Sequence, residues 1–169
     1  MTSFHDSTAF PVADRLPDYH DPWGEYHSEK DGMLTPVRHW CFLGQILDVN
    51  TFMRPRVTVA PWPNPGGGEI NFKNPSHTIT VHFHHERSTI PTTFAWKDLK
   101  PGRTIAILYA KRKRMMDGST GIRQEHLDSV FVFRASLSML VRFGEMLMST
   151  PSKSCFHAEC SEQNKRLMK

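Results

Sequence analysis

The chain has 169 residues, of which 38% are hydrophobic and 22% are charged, so it is long enough for one domain with a core and too short for two. No run approaches the roughly 18 apolar residues of a membrane helix, and the first residues lack the layout of a signal peptide. Three unevenly spaced cysteines exclude a disulfide framework. These features predict an intracellular protein, in the nucleus or cytoplasm, without membrane contact.

Residues 1–36 differ in charge from the rest of the chain. They hold seven acids against two Lys/Arg, a net charge of −5, whereas the remainder holds nineteen Lys/Arg against ten acids, a net charge of +9. Four prolines and the absence of a hydrophobic period predict an acidic, disordered leader. The basic body indicates an anionic partner, or a leader that folds back and competes with one. A solvated tail beside an ordinary basic surface is the simpler alternative.

The next part of the chain has the pattern of β structure. Residues 37–49 and 56–60 are rich in branched and aromatic side chains and flank a group of turn formers, which predicts a hairpin. In residues 77–84 apolar and polar side chains alternate, which predicts a strand with one buried face.

The later elements end in a helix. Residues 103–110 form an apolar run that predicts a central strand, and residues 129–133 predict the final strand. The hydrophobic period becomes helical in residues 137–148, with Ser136 as N-cap.

Short strands joined by Gly/Pro-rich turns bury a common face only by closing on one another, which favours a small barrel or sandwich. The string DLKPGRTIAILYA (residues 98–110), followed by a basic turn and then DSVFVF (residues 128–133), resembles the last two strands of an OB-fold barrel. The resemblance covers residues 37–134. It implies a mainly β fold, a small closed or partly open OB-like barrel, with one C-terminal helix after it.

A basic run follows the predicted central strand and is flanked by two further arginines: Arg103, Lys111, Arg112, Lys113, Arg114 and Arg123. Consecutive cations repel one another unless they are solvated or neutralised, and phosphates neutralise them with release of counterions. In an OB-like barrel this run would lie at the mouth loop, where Trp96 or Tyr109 would stack on bases. The alternatives are a solvated hairpin end with core aromatic residues, or a nuclear import signal.

The C-terminal string Cys155-Phe156-His157-Ala158-Glu159-Cys160, before a polar basic stretch, resembles the opening of a MYND-type zinc finger in fungal proteins. The segments WKDLKPGRTIAILYA and GIRQE also resemble parts of such proteins. This sequence departs from the family in its Cys-x4-Cys spacing, and the remaining ligands are missing. Because a structural zinc needs four ligands, we expect a truncated finger without a metal.

Two further clusters suggest other chemistry. His82, His84 and Glu86 share one strand face, as zinc ligands can, but no further ligand is near in sequence, so a solvated strand face is expected. His39 and Cys41 also share a strand face, yet Cys41 lies in an apolar run where an inert buried thiol is expected. The common nucleophile and phosphate-binding motifs are absent from the sequence.

We therefore predict a non-catalytic binding module without cofactor or metal, and not an enzyme. The first hypothesis is single-stranded nucleic-acid binding through the basic hairpin. The alternative is a protein-interaction or scaffold domain from a MYND-finger protein. The predicted organisation is an acidic disordered leader (1–36), a β-barrel domain with its C-terminal helix (37–148), and a linker with a truncated finger-like tail (149–169).

Overall fold

The computed structural model describes residues 3–20, 25–52, 54–62, 77–84 and 94–149. Within these residues the strands are β1 (His27–Lys30), β2 (Met33–Pro36), β3 (Cys41–Asn50), β4 (Arg56–Trp62), β5 (Ile79–Phe83), β6 (Thr104–Leu108), β7 (Arg112–Arg114), β8 (Thr120–Gln124) and β9 (Val130–Phe133). Helix α1 (Leu137–Ser149) follows them. The predicted mainly β class with one C-terminal helix is confirmed.

The main sheet has the strand order β7-β8-β5-β4-β3-β6-β9. Strand β6 pairs antiparallel with β9, and β7 pairs antiparallel with β8. Strands β6 and β7 therefore form one arm of a long hairpin, and β8 and β9 form the other. The two ends of the sheet therefore belong to the same hairpin. The sheet curls round on itself as a partly open barrel, which confirms the predicted OB-like form. The pairing of β5 with β8 is parallel and joins the hairpin to the middle strands.

The barrel interior is filled by the alternating apolar side chains of the strands. Eight of these side chains are fully buried in the described strands: Phe42, Ile46, Val57, Val59, Val81, Ile105, Ile107 and Ile122. Strand β3 is buried on both faces, because its outer face is covered by α1. Leu43 packs there against Leu137 and Val141 in a second, smaller cluster. The start of α1 is fixed by the predicted cap, since Met139 donates its backbone N–H to Ser136 Oγ at 3.3 Å.

The described part of the leader is folded onto the barrel, which differs from the predicted disorder. Leu16 and Tyr26 are only 2% and 4% exposed and belong to the main core. Strands β1 and β2 form a hairpin whose turn residues, Asp31 and Gly32, both have positive φ. An Asp-Gly pair suits that turn, because both residues adopt left-handed backbone conformations at low cost. A few well-placed apolar side chains thus offset the ordering of a mostly polar segment.

Before β6, Trp96–Asp98 forms a short 3₁₀ turn. The predicted finger-like tail, residues 150–169, lies outside the described residues. Among the residues that are described, no helix is long and apolar enough to cross a membrane.

Candidate functional site

Strand β7 carries three of the four consecutive cations, and their side chains lie on two different faces of the strand. Lys113 pairs with Gly121 of β8 and lies on the outer face of the barrel, whereas its neighbours Arg112 and Arg114 lie on the opposite side of the strand. Arg114 is exposed at the strand end. Lys111 precedes the strand and is half-buried. The sequence run is therefore divided between two faces.

Arg112 forms backbone and side-chain hydrogen bonds with the leader. Its backbone N–H donates to Pro17 O at 2.8 Å, and its carbonyl accepts the N–H of Tyr19 at 2.7 Å. The residue between them, Asp18, forms an isolated parallel bridge with Arg112. The guanidinium donates to the backbone carbonyl of Asp14 at 2.8 Å. The leader thus extends the sheet along the free edge of β7.

Tyr19 of the leader lies against the cations on the outer face. Lys113 Nζ is 4.5 Å from the ring centroid, and the guanidinium carbon of Arg123 is 5.5 Å from it. The tyrosine hydroxyl donates to the carboxylate of Glu125 at 3.2 Å, and Arg123 Nη2 pairs with that carboxylate at 2.7 Å. Cation–π contacts and the ion pair therefore hold one aromatic ring among charged groups.

The strand pairing builds a row of cationic and imidazole side chains across three strands. Arg56 is opposite His82, and His82 is opposite Arg123, so all three share the outer face. Lys113 lies on the next strand of the same face. We call Arg56, His82, Lys113 and Arg123 the basic face.

His82 and His84 have lowered pKa values, chiefly because both are partly buried and in addition because arginines lie nearby. Burial and the nearby Arg56 lower the pKa of His82. Burial, Arg123 and Arg54 lower the pKa of His84, which follows it two residues later on the same strand face. Both imidazoles are therefore held in the neutral form by partial burial and by neighbouring positive charge. Sequence reasoning included Arg123 and Lys113 but missed Arg54 and Arg56, whose positions depend on strand pairing.

The neighbouring positive charges also argue against a metal at His82 and His84. The described residues contain no group of three potential ligands, and neighbouring guanidinium groups repel a cation. Outside the described residues lie the other ligand candidates, Glu86, Cys155, His157 and Cys160.

A half-open cleft of about 580 Å³ adjoins the basic face where the hairpin ladder is interrupted. On one side the backbone leaves the strand at Tyr109, which has a φ of 56°. On the other side residues 127–129 form a 3₁₀ turn, held by Gln124 Nε2, which donates to His126 O at 2.6 Å and Ser129 Oγ at 2.8 Å. Aromatic, cationic and acidic groups line the cleft: Tyr19, Tyr109, Lys111, Arg123, Glu125 and Asp128.

Tyr109 forms one wall of this cleft, and Trp40 and His39 contact it. Its ring lies edge-on to Trp40, with centroids 5.1 Å apart, and its hydroxyl contacts His39 Nδ1. The ring remains 38% exposed. Trp40 is buried and donates its indole N–H to Ala110 O at 2.9 Å, so it serves the core.

Two predicted site residues lie away from this cluster. Trp96 packs edge-on against Phe83 and Phe94, with centroids 5.3 and 4.9 Å apart, and contacts the core. Arg103 precedes β6, at the opposite end of that strand from Tyr109, and its Nη1 pairs with Asp98 Oδ1 at 2.7 Å. Both side chains therefore have structural partners, and we leave them out of the site.

Cys41, the cysteine considered as a nucleophile, is not activated. Burial raises the pKa of Cys41 to about 12, so the thiolate is almost absent at neutral pH. The histidine considered as its base, His39, contacts the hydroxyl of Tyr109.

Neither a known protein-family model nor a curated protein matches this sequence. Among solved structures, the chain is similar to Schizosaccharomyces pombe Pot1pC bound to single-stranded DNA, with 12% identity, a TM-score of 0.41, and coverage of 70% of this chain and 96% of that one. It is also similar to a replication protein A heterotrimer bound to single-stranded DNA, with 9% identity, a TM-score of 0.36, and coverage of 71% and 80%.

Proposed function

We propose that this protein is a non-catalytic module that binds single-stranded nucleic acid across the basic face. The observation that supports the proposal is the convergence of Arg56, Lys113 and Arg123 from three different strands, next to two partly exposed tyrosines. Phosphate groups neutralise such a surface and release counterions, which is the main source of affinity in nucleic-acid binding.

The tyrosines favour a single strand over a duplex. Tyr19 and Tyr109 offer π-faces or edges to bases only if those bases are unstacked. In a duplex the bases are already stacked on one another, so their faces are not available to the tyrosines. Stacking on an aromatic side chain contributes about 1–3 kcal/mol per base, enough to set the preference.

The first experiment measures the affinity of the full chain for a 12-nucleotide single strand and for the matching duplex at about 50 and 200 mM salt. We expect tighter binding of the single strand and a steep salt dependence. The double variant Arg56→Ala/Lys113→Ala should weaken binding and reduce the log–log salt slope by about 1.4, at about 0.7 per lost phosphate contact.

A matched control carries the same change of net charge elsewhere. Lys97 lies in the 3₁₀ turn before β6 and Lys100 follows that turn; both are exposed, away from the basic face. The variant Lys97→Ala/Lys100→Ala should leave most of the slope intact. If the wild-type chain fails to bind at 50 mM salt, or if both double variants lose the same slope, the nucleic-acid proposal is wrong. The protein-interaction alternative would then become the leading hypothesis.

A further inference from the structure

We infer that the cleft beside Tyr109 is a base-binding pocket that prefers bases with an exocyclic amino group, such as cytosine, over uracil and thymine. The inference rests on the proposed function, since it names the chemistry that the same surface would recognise. The cleft volume of about 580 Å³ lies within the usual range for small-ligand sites, about 300–1,000 Å³.

The walls of the cleft are suited to a planar ring. The ring of Tyr19 is fixed by Lys113, Arg123 and Glu125, and the ring of Tyr109 is backed by Trp40. A base that enters between these walls keeps its phosphate outside, toward the basic face. The pocket needs the docked leader, because Tyr19 supplies one of its walls.

The charges of the lining separate base from phosphate. Lys111 and Arg123 are the cations of the cleft, whereas Glu125 and Asp128 contribute carboxylates to it. These carboxylates repel a phosphate in the cleft, yet they accept hydrogen bonds from an uncharged donor. An ionised carboxylate has about four acceptor positions, so Glu125 keeps free capacity after it binds Tyr19 and Arg123.

The acceptors then discriminate between bases. Cytosine presents an amino group at C4, which acidic side chains accept, whereas uracil presents a carbonyl oxygen at the same position. That oxygen would face a carboxylate oxygen with no proton between them. A specific pairing of this kind is worth about 1–3 kcal/mol, a factor of roughly 5–150 in affinity.

The backbone at Tyr109 is strained in the manner of a functional position. A left-handed conformation with φ 56° is costly for a residue with a large side chain. Glycine or asparagine would adopt it more easily. The conformation turns the chain out of β6 and sets the ring at the wall of the cleft.

The test compares two oligonucleotides that differ in one functional group. Binding of dC12 and dU12 to the full chain is measured at pH 7.5 and about 50 mM salt, which favours contact with phosphate. We expect dC12 to bind at least 5-fold more tightly. Equal binding of both oligonucleotides overturns the pocket and leaves the proposed function standing, whereas binding of neither overturns both.

Two variants with the same loss of charge locate the effect. Asp128 is exposed in the 3₁₀ turn at the cleft, and Asp31 is exposed in the β1-β2 turn. The variant Asp128→Asn should reduce the dC12 preference at least 3-fold, because an amide presents donors as well as an acceptor. The variant Asp31→Asn should keep the wild-type preference. If both variants keep it, or both lose it equally, the pocket assignment is wrong.

Discussion

Replacing Leu16 with alanine tests whether the leader is part of the folded barrel. The leucine side chain is 2% exposed within the main core, and alanine removes three of its carbon atoms. At about 0.8 kcal/mol per buried methylene, the lost transfer free energy is about 2.4 kcal/mol. The cavity left behind increases the expected loss to about 2.5–4 kcal/mol. That is a large share of the 5–15 kcal/mol by which ordinary domains are stable.

The assay is urea unfolding of the full chain, followed by tryptophan fluorescence. Trp40, one of the four tryptophans, is buried beside Tyr26, so its part of the emission is sensitive to the packing of the leader on the barrel. The control is Met33→Ala, a residue of the same segment that is 67% exposed, for which we expect a loss below about 0.5 kcal/mol. The reasoning is refuted if the two variants unfold at the same urea concentration, or if proteolysis removes the leader without loss of stability in the remaining body.

Four further predictions concern binding, packing and pH. The variant Asp14→Asn/Asp18→Asn should increase oligonucleotide affinity about 2- to 5-fold at low salt, and the gain should fade at 200 mM as screening increases. Gly121→Ala should lower the melting temperature by several degrees, because its Cβ would lie 2.7 Å from a backbone carbonyl oxygen of the neighbouring strand. The lowered pKa values of His82 and His84 mean that the unfolded chain binds more protons, so stability should fall as pH drops from 7 to 5. A bound polyanion should raise both pKa values, so affinity should increase over the same pH range, as NMR titration of the imidazoles would show.

The parts of the fold that depend on local pattern were predictable. Three such features depend only on residues that are close in sequence: the alternation in β5, the hairpin of β3 with β4, and the cap and period of α1. The leader was not, because its strands β1 and β2 are mostly polar. The Asp31-Gly32 pair was the available signal for their turn.

The site was predictable only in part, because most of it is assembled by pairing between distant segments. The run that contains Lys113 is visible as consecutive cations. The row of Arg56, His82 and Arg123 depends on β5 lying between β4 and β8, one of these pairings being parallel. The position of Tyr19 depends on backbone hydrogen bonds to Arg112, which carry no signature in the side-chain sequence.

The attachment of the leader to β7 also constrains the order in which the chain folds. Asp14 and Arg112, joined by a hydrogen bond, are 98 residues apart, and the partner strand β8 comes later still. At about 5–20 residues per second, a ribosome needs roughly 5–20 s between making the two segments. During that interval Leu16 and Tyr26 have no complete core to enter. The leader can therefore dock only after this hairpin has been made, and nascent chains should expose the leader to proteases and chaperones until then.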